Sequence, residues 1–96
     1  MTDLTIVASV VAVADKIELV KSELEKLVDT TRQEAGCVRY DLHQNNDDPT
    51  HFLFYETWTS RALWRAHMEA AHLTAFGQAT EGAVAKFELF EMTHIA

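Results

Sequence analysis

The 96-residue sequence predicts an α+β fold: one antiparallel sheet of four strands covered by two helical regions, in the order β-α-β-β-α-β. Three observations predict it. Strand candidates are marked by β-branched or aromatic enrichment in residues 4–13 and 51–58 and by alternation of apolar and polar residues in 37–45. Two longer segments repeat apolar residues at helical spacing. A short turn with Asx residues and Pro49 joins the two middle strand candidates.

Residues 4–13, LTIVASVVAV, form the first expected strand. Asp15 followed by Glu18 has capping-box spacing, which predicts a helix from about Lys16 to Gln33. Ile17, Val20, Leu24, Leu27 and Val28 share one face of it, and Lys21 and Glu25 make an i,i+4 pair on the other. Gly36 reads as the left-handed stop. In residues 37–45 Val38, Tyr40 and Leu42 alternate with Arg39, Asp41 and His43, the pattern of a strand half in the core.

After the turn, HFLFYETW (51–58) is the third strand, with Phe52, Phe54 and Trp58 on one side and Leu53 and Tyr55 on the other. Ser60 is placed to cap a second helical region that breaks near Ala70–Ala71. Residues 86–95 are the last strand. The order is the ferredoxin-like split βαβ arrangement, in one domain spanning residues 1–96. Two helices cover one face of such a sheet. The first and third strands are nevertheless apolar on both sides, so the expected cover for the second face is another copy, sheet against sheet, in a two-fold homodimer.

Composition excludes several classes. The formal net charge is −7, with no basic stripe to neutralise phosphates or engage an anionic membrane surface. No apolar run approaches the roughly 18 residues of a membrane helix. The start lacks the basic flank of a signal peptide, and the one cysteine, Cys37, cannot form an internal disulfide, so a cytoplasmic setting is expected.

GCVRYDLHQ, then Pro49 and FLFYETW after a short turn, then His67 and His72 followed by Phe76, resemble the antibiotic biosynthesis monooxygenase (ABM) domain. The resemblance covers nearly the whole chain and is most specific over residues 36–76. It implies a dimeric α+β barrel of two ferredoxin-like subunits with facing sheets. It also implies a range of activities: oxidation of hydroquinone-like compounds by O2 without metal or flavin, quinol monooxygenation, haem degradation, and processing of a small phosphorylated sugar. Many oxygenase members carry Asn on the first strand near the place of Ser9, and many carry Pro where this chain has Ala71. Trp58 matches the Trp that closes the third strand.

A cofactor-free oxygenase must bind a flat ring, remove a proton and stabilise the anion. His67 and His72 are the leading base candidates. Their i,i+5 spacing puts them about 140° apart on a continuous helix, so they share a site only if the helix breaks between them. That spacing also argues against a metal, because two ligands on one helix face need HxxxH. Glu56, between Phe54 and Trp58, is a base, a group that orients a histidine, or the partner of Arg39 or Arg65. Trp58, Trp64, Tyr55, Phe54 and Phe76 wall a ring-shaped site or simply fill the core. Ser9 and Arg39 complete the set, Arg39 as an anion-holding group or a residue of the dimer seam. No cofactor is expected. The favoured reading is a cofactor-independent monooxygenase for a small quinol or polyphenol; the alternatives are a non-oxidative isomerase or degradative enzyme and a non-catalytic dimeric binding module.

Overall fold

In the computed structural model, which describes residues 3–96, the elements run β1 (Leu4–Ala12), α1 (Ile17–Arg32), β2 (Cys37–Gln44), β3 (His51–Trp58), α2 (Arg61–Met68), α3 (Ala71–Ala79) and β4 (Val84–Thr93). The four strands form one sheet in the order β2-β3-β1-β4, and all neighbours are antiparallel. β3 lies between β1 and β2, and β1 lies between β3 and β4, so both crossovers are split in the ferredoxin-like manner.

The side-chain period of two sorts the sheet into two faces. Ile6, Ala8, Val10 and Ala12 of β1 and Phe52, Phe54, Glu56 and Trp58 of β3 are buried on the helix side. Val20, Leu24 and Leu27 of α1 close onto them, as the helical spacing predicts. The other face presents Val7, Val11, Leu53 and Tyr55, which the register aligns with Phe90 and Met92 of β4. Phe90 and Met92 are 43% and 47% exposed.

Four local expectations are corrected. The capping box does not form: α1 starts at Ile17 with Lys16 as its N-cap and no side-chain cap bond, which leaves Asp15 one residue outside. A turn in which the Lys16 N–H donates to the Val13 carbonyl takes up that residue. The ion pair found on α1 is Glu23–Lys26 at 2.8 Å, an i,i+3 pair in place of Lys21 and Glu25. Val38 faces solvent because β2 bulges between Cys37 and Arg39, opposite Trp58 and Thr57. β4 occupies 84–93 because its ladder on β1 ends where Thr93 pairs with Leu4. Gly36 is left-handed (φ +85°) as expected, but it lies in the turn three residues past Gln33, the right-handed C-cap at which α1 ends; the Ser60 cap on the Leu63 N–H and the break at Ala70 stand as expected.

Candidate functional site

The break between α2 and α3 builds the site. His67 lies in the last turn of α2, where the helix dipole favours a basic group. Ala70 is extended (ψ 149°), so the chain changes direction before His72 at the start of α3. The two imidazoles that a straight helix would splay apart therefore stand 5.9 Å apart, centroid to centroid. Both meet Glu34, just beyond the end of α1. Glu34 Oε2 lies 2.6 Å from His67 Nδ1 and 3.0 Å from His72 Nε2, and the buried Thr31 hydroxyl lies 3.1 Å from the same His72 nitrogen.

His67 is 2% exposed. Burial lowers its pKa below the ordinary 6.5, and the Glu34 hydrogen bond and charge only partly offset this. At neutral pH the ring is therefore uncharged. With Nδ1–H donated to a carboxylate, the lone pair sits on Nε2. Among the described residues Nε2 has no hydrogen-bond partner.

His67 lines a cavity of about 230 Å³ between helices and sheet. Tyr40 and Phe54, stacked at 4.3 Å, form one wall; Phe76, Leu73 and Phe87 form others. Glu56 supplies a second ionisable group. It is 3% exposed, and its Oε1 accepts a 2.9 Å hydrogen bond from Trp58 Nε1. Burial raises its pKa to about 7 against that bond, which brings the carboxyl into the range where it can exchange a proton near neutrality. Burial beside Glu56 likewise pushes the Tyr40 hydroxyl well above its ordinary value and keeps it protonated.

The structure thus brings His67, Glu56, Phe54 and Phe76 to one cavity and puts His72 behind His67, on Glu34. Trp58 sits under the cavity, 4.8 Å from the His67 ring and bonded to Glu56. Trp64 is buried apart from the cavity lining, its indole N–H without a partner among the described residues. Ser9, Tyr55 and Arg39 lie on the opposite face of the sheet, where Arg39 stacks over Tyr55 at 5.5 Å and pairs with Asp41 at 3.5 Å. Neither Arg39 nor Arg65 pairs with Glu56 among the described residues.

On that open face Ser9 Oγ lies 2.8 Å from His51 Nε2, and Asn45 Nδ2 lies 3.1 Å from His51 Nδ1. This resembles a nucleophile–base–orienter set, but the protons are reversed. Asn45 Oδ1 already accepts from the Asp47 N–H, so its amide N–H donates to Nδ1. His51 then donates through Nε2 to Ser9 and cannot take a proton from it.

Sequence reasoning missed Glu34, Thr31 and the lining role of Tyr40. A signal for Glu34 exists. A carboxylate just past a helix C-terminus meets the negative end of the dipole, which calls for a compensating partner.

Comparison with known proteins identifies the family and the fold. Residues 4–79 match the model of the family described as antibiotic biosynthesis monooxygenase. The chain is 34% identical over 62 residues to the Bacillus subtilis protein named "Putative monooxygenase YcnE", a match covering 65% of each chain. It is 26% identical over 72 residues, 75% of this chain, to the uncharacterized protein sll1783 of Synechocystis, and the match spans about half (49%) of that protein. Among solved structures, PA3566 from Pseudomonas aeruginosa superposes with a TM-score of 0.95 at 31% identity, over 100% of this chain and 97% of the other. No helix among the described residues is long and apolar enough to cross a membrane. A match across most of the chain, the same fold and a relative above 30% identity over its full length show that the chain belongs to the antibiotic biosynthesis monooxygenase family.

Proposed function

We propose that the chain is a monooxygenase that oxidises a small quinol or polyphenol with O2, using its own side chains and no flavin. One observation carries the reading: a neutral histidine, fixed by a carboxylate on Nδ1, lines an aromatic cavity. His67 Nε2 takes the phenolic proton, and the imidazolium formed is stabilised by Glu34. The electron-rich anion then reduces O2. One oxygen atom enters the ring and the other leaves as water, and the quinol supplies all the electrons. Glu56 is placed to return a proton within the same cavity.

Size and polarity narrow the substrate class. A cavity of about 150 Å³ holds benzene, so about 230 Å³ fits one substituted ring or two fused rings. The mostly apolar wall favours an uncharged ligand with one or two hydroxyls.

We read the open sheet face as the seat of a second copy. Val7, Val11, Leu53, Tyr55, Phe90 and Met92 share it, and a monomer rarely leaves so large an apolar face bare.

The test is oxygen uptake with a panel of hydroquinones, catechols and dihydroxynaphthalenes. Uptake above autoxidation that falls in His67→Gln supports the reading; no uptake across the panel contradicts it.

A further inference from the structure

The spacing of His67 and His72 argues against a metal only while both sit on one straight helix. The break at Ala70 removes that objection, and Glu34 supplies a third donor from another element. Glu34, His67 and His72 each offer one ligand atom, and these atoms all lie within 4.8 Å of one another. We propose that they form a binding site for a divalent first-row transition ion of the Zn²⁺ class, and that its occupancy moves the His67 proton onto Nε2.

The donor set is two imidazoles and one carboxylate, the borderline-soft nitrogen and oxygen combination such ions prefer. Ligand atoms about 2.0–2.1 Å from a tetrahedral ion stand roughly 3.3 Å from one another. Glu34 Oε2 is now 2.6 and 3.0 Å from the two nitrogens. An ion therefore needs Glu34 Oε2 to withdraw from both nitrogens by less than about 1 Å, and the two nitrogens, up to 4.8 Å apart, to close by about 1.5 Å. Glu34 and His72, about 20% exposed, can make that movement and leave a path from solvent. The Thr31 hydroxyl, 3.1 Å from His72 Nε2, borders the site, and water can complete the shell.

In the metal-free chain His67 donates to Glu34 from Nδ1, and His72 turns Nε2 to the Thr31 hydroxyl at 3.1 Å, with Glu34 Oε2 3.0 Å away. A metal takes the lone pairs of these two nitrogens, so the His67 proton moves from Nδ1 to the other nitrogen of its ring and no proton is released from it. For His67 that nitrogen is Nε2, the atom assigned above to receive the substrate proton. The ion and the base thus exclude each other. That inhibitory consequence rests on the oxygenase reading; the binding and the proton shift do not.

The test uses metal-free protein titrated with Co²⁺ by absorption spectroscopy and with Zn²⁺ by calorimetry. About one equivalent per chain is expected, with visible ligand-field bands for Co²⁺. Glu34→Gln and His72→Gln should each weaken binding by about tenfold or more, while His43→Gln, on the exposed part of β2, should not change it. Thermal melts establish that the variants are folded. Long-range ¹H–¹⁵N spectra of the histidine rings should show His67 Nε2 bare without metal and protonated with Zn²⁺. Absence of saturable binding, or binding unchanged in both ligand variants, overturns the site. Binding with Nε2 still bare overturns the proton shift. Failure of oxygen uptake by the metal-free protein contradicts the oxygenase reading and leaves this site standing.

Discussion

Glu34 Oε2 lies 2.6 Å from His67 Nδ1, and this contact ties the end of α1 to the end of α2. It fixes the ring, selects the tautomer and leaves Nε2 for the cavity. Replacing Glu34 with Gln removes the charge but keeps the shape. We expect kcat to fall about 10²-fold or more with little change in KM. Because Glu34 raises the His67 pKa, the acid limb of the pH profile should move to lower pH in the variant. A purely structural role would leave that midpoint in place.

The wild-type profile follows from the same group. His67 must be unprotonated to accept a proton, and its pKa lies below 6.5. The kcat/KM for quinol oxidation should therefore fall on the acid side with a midpoint below 6.5, read by oxygen uptake between pH 5 and 8.

Glu56 links the cavity to stability. Its folded pKa of about 7 exceeds the ordinary 4.5, so between those values the folded chain binds more protons than the unfolded one. The stability it contributes is fully present below 4.5 and is lost as pH rises through about 7. Glu56→Gln keeps an acceptor for Trp58 Nε1 but carries no charge. Its stability relative to wild type should rise with pH and level off above about 7, by of the order of 3 kcal/mol. Urea melts at several pH values measure the difference.

Gly36 and Gly82 have similar left-handed backbones, with φ of +85° and +78°, but different surroundings. A Cβ at Gly36 would sit 2.6 Å from Leu63 Cδ1 and 2.8 Å from Leu63 Cβ, while at Gly82 it meets open space. Gly82→Ala should cost about 1 kcal/mol for the backbone. Gly36→Ala should cost that plus about 1–3 kcal/mol of overpacking. Chemical denaturation of the two variants side by side reads the difference.

The open face makes a separate prediction. Wild type should sediment at twice the 10.9 kDa chain mass. Val7→Lys combined with Phe90→Lys places charges side by side on that face, since the two residues pair across β1 and β4. The variant should run as a monomer with its β-sheet spectrum retained. A monomeric wild type would contradict the sheet-to-sheet pairing.

Much of the fold was legible because its signals are local. The alternation in HFLFYETW, the spacing of Val20, Leu24 and Leu27, and the Ser60 cap each depend on neighbours within one or two turns. The helix break between His67 and His72 was also legible, and with it their meeting. Glu34 was not, because the contact joins residues 33 positions apart and no period marks it. Val38 failed for a similar reason: a bulge is set by the partner strand, here Trp58 and Thr57, and alternation within β2 does not show it. The face of Tyr55 and Arg39 was legible in the alternation that sets them opposite Phe54 and Tyr40; that of Ser9 follows from pairing register, which places it beside Leu53 and not beside the cavity.

Removal of a proton by His67 from a ring bound in the cavity can be tested before any oxygen chemistry. A small coloured phenol such as 4-nitrocatechol is mixed anaerobically with metal-free protein, and its ionisation is followed by absorption across pH. The ionisation midpoint of the bound ligand should fall in wild type and return toward the free value in His67→Gln. A ligand that binds wild type with its midpoint unchanged, or equally shifted in the variant, would contradict it.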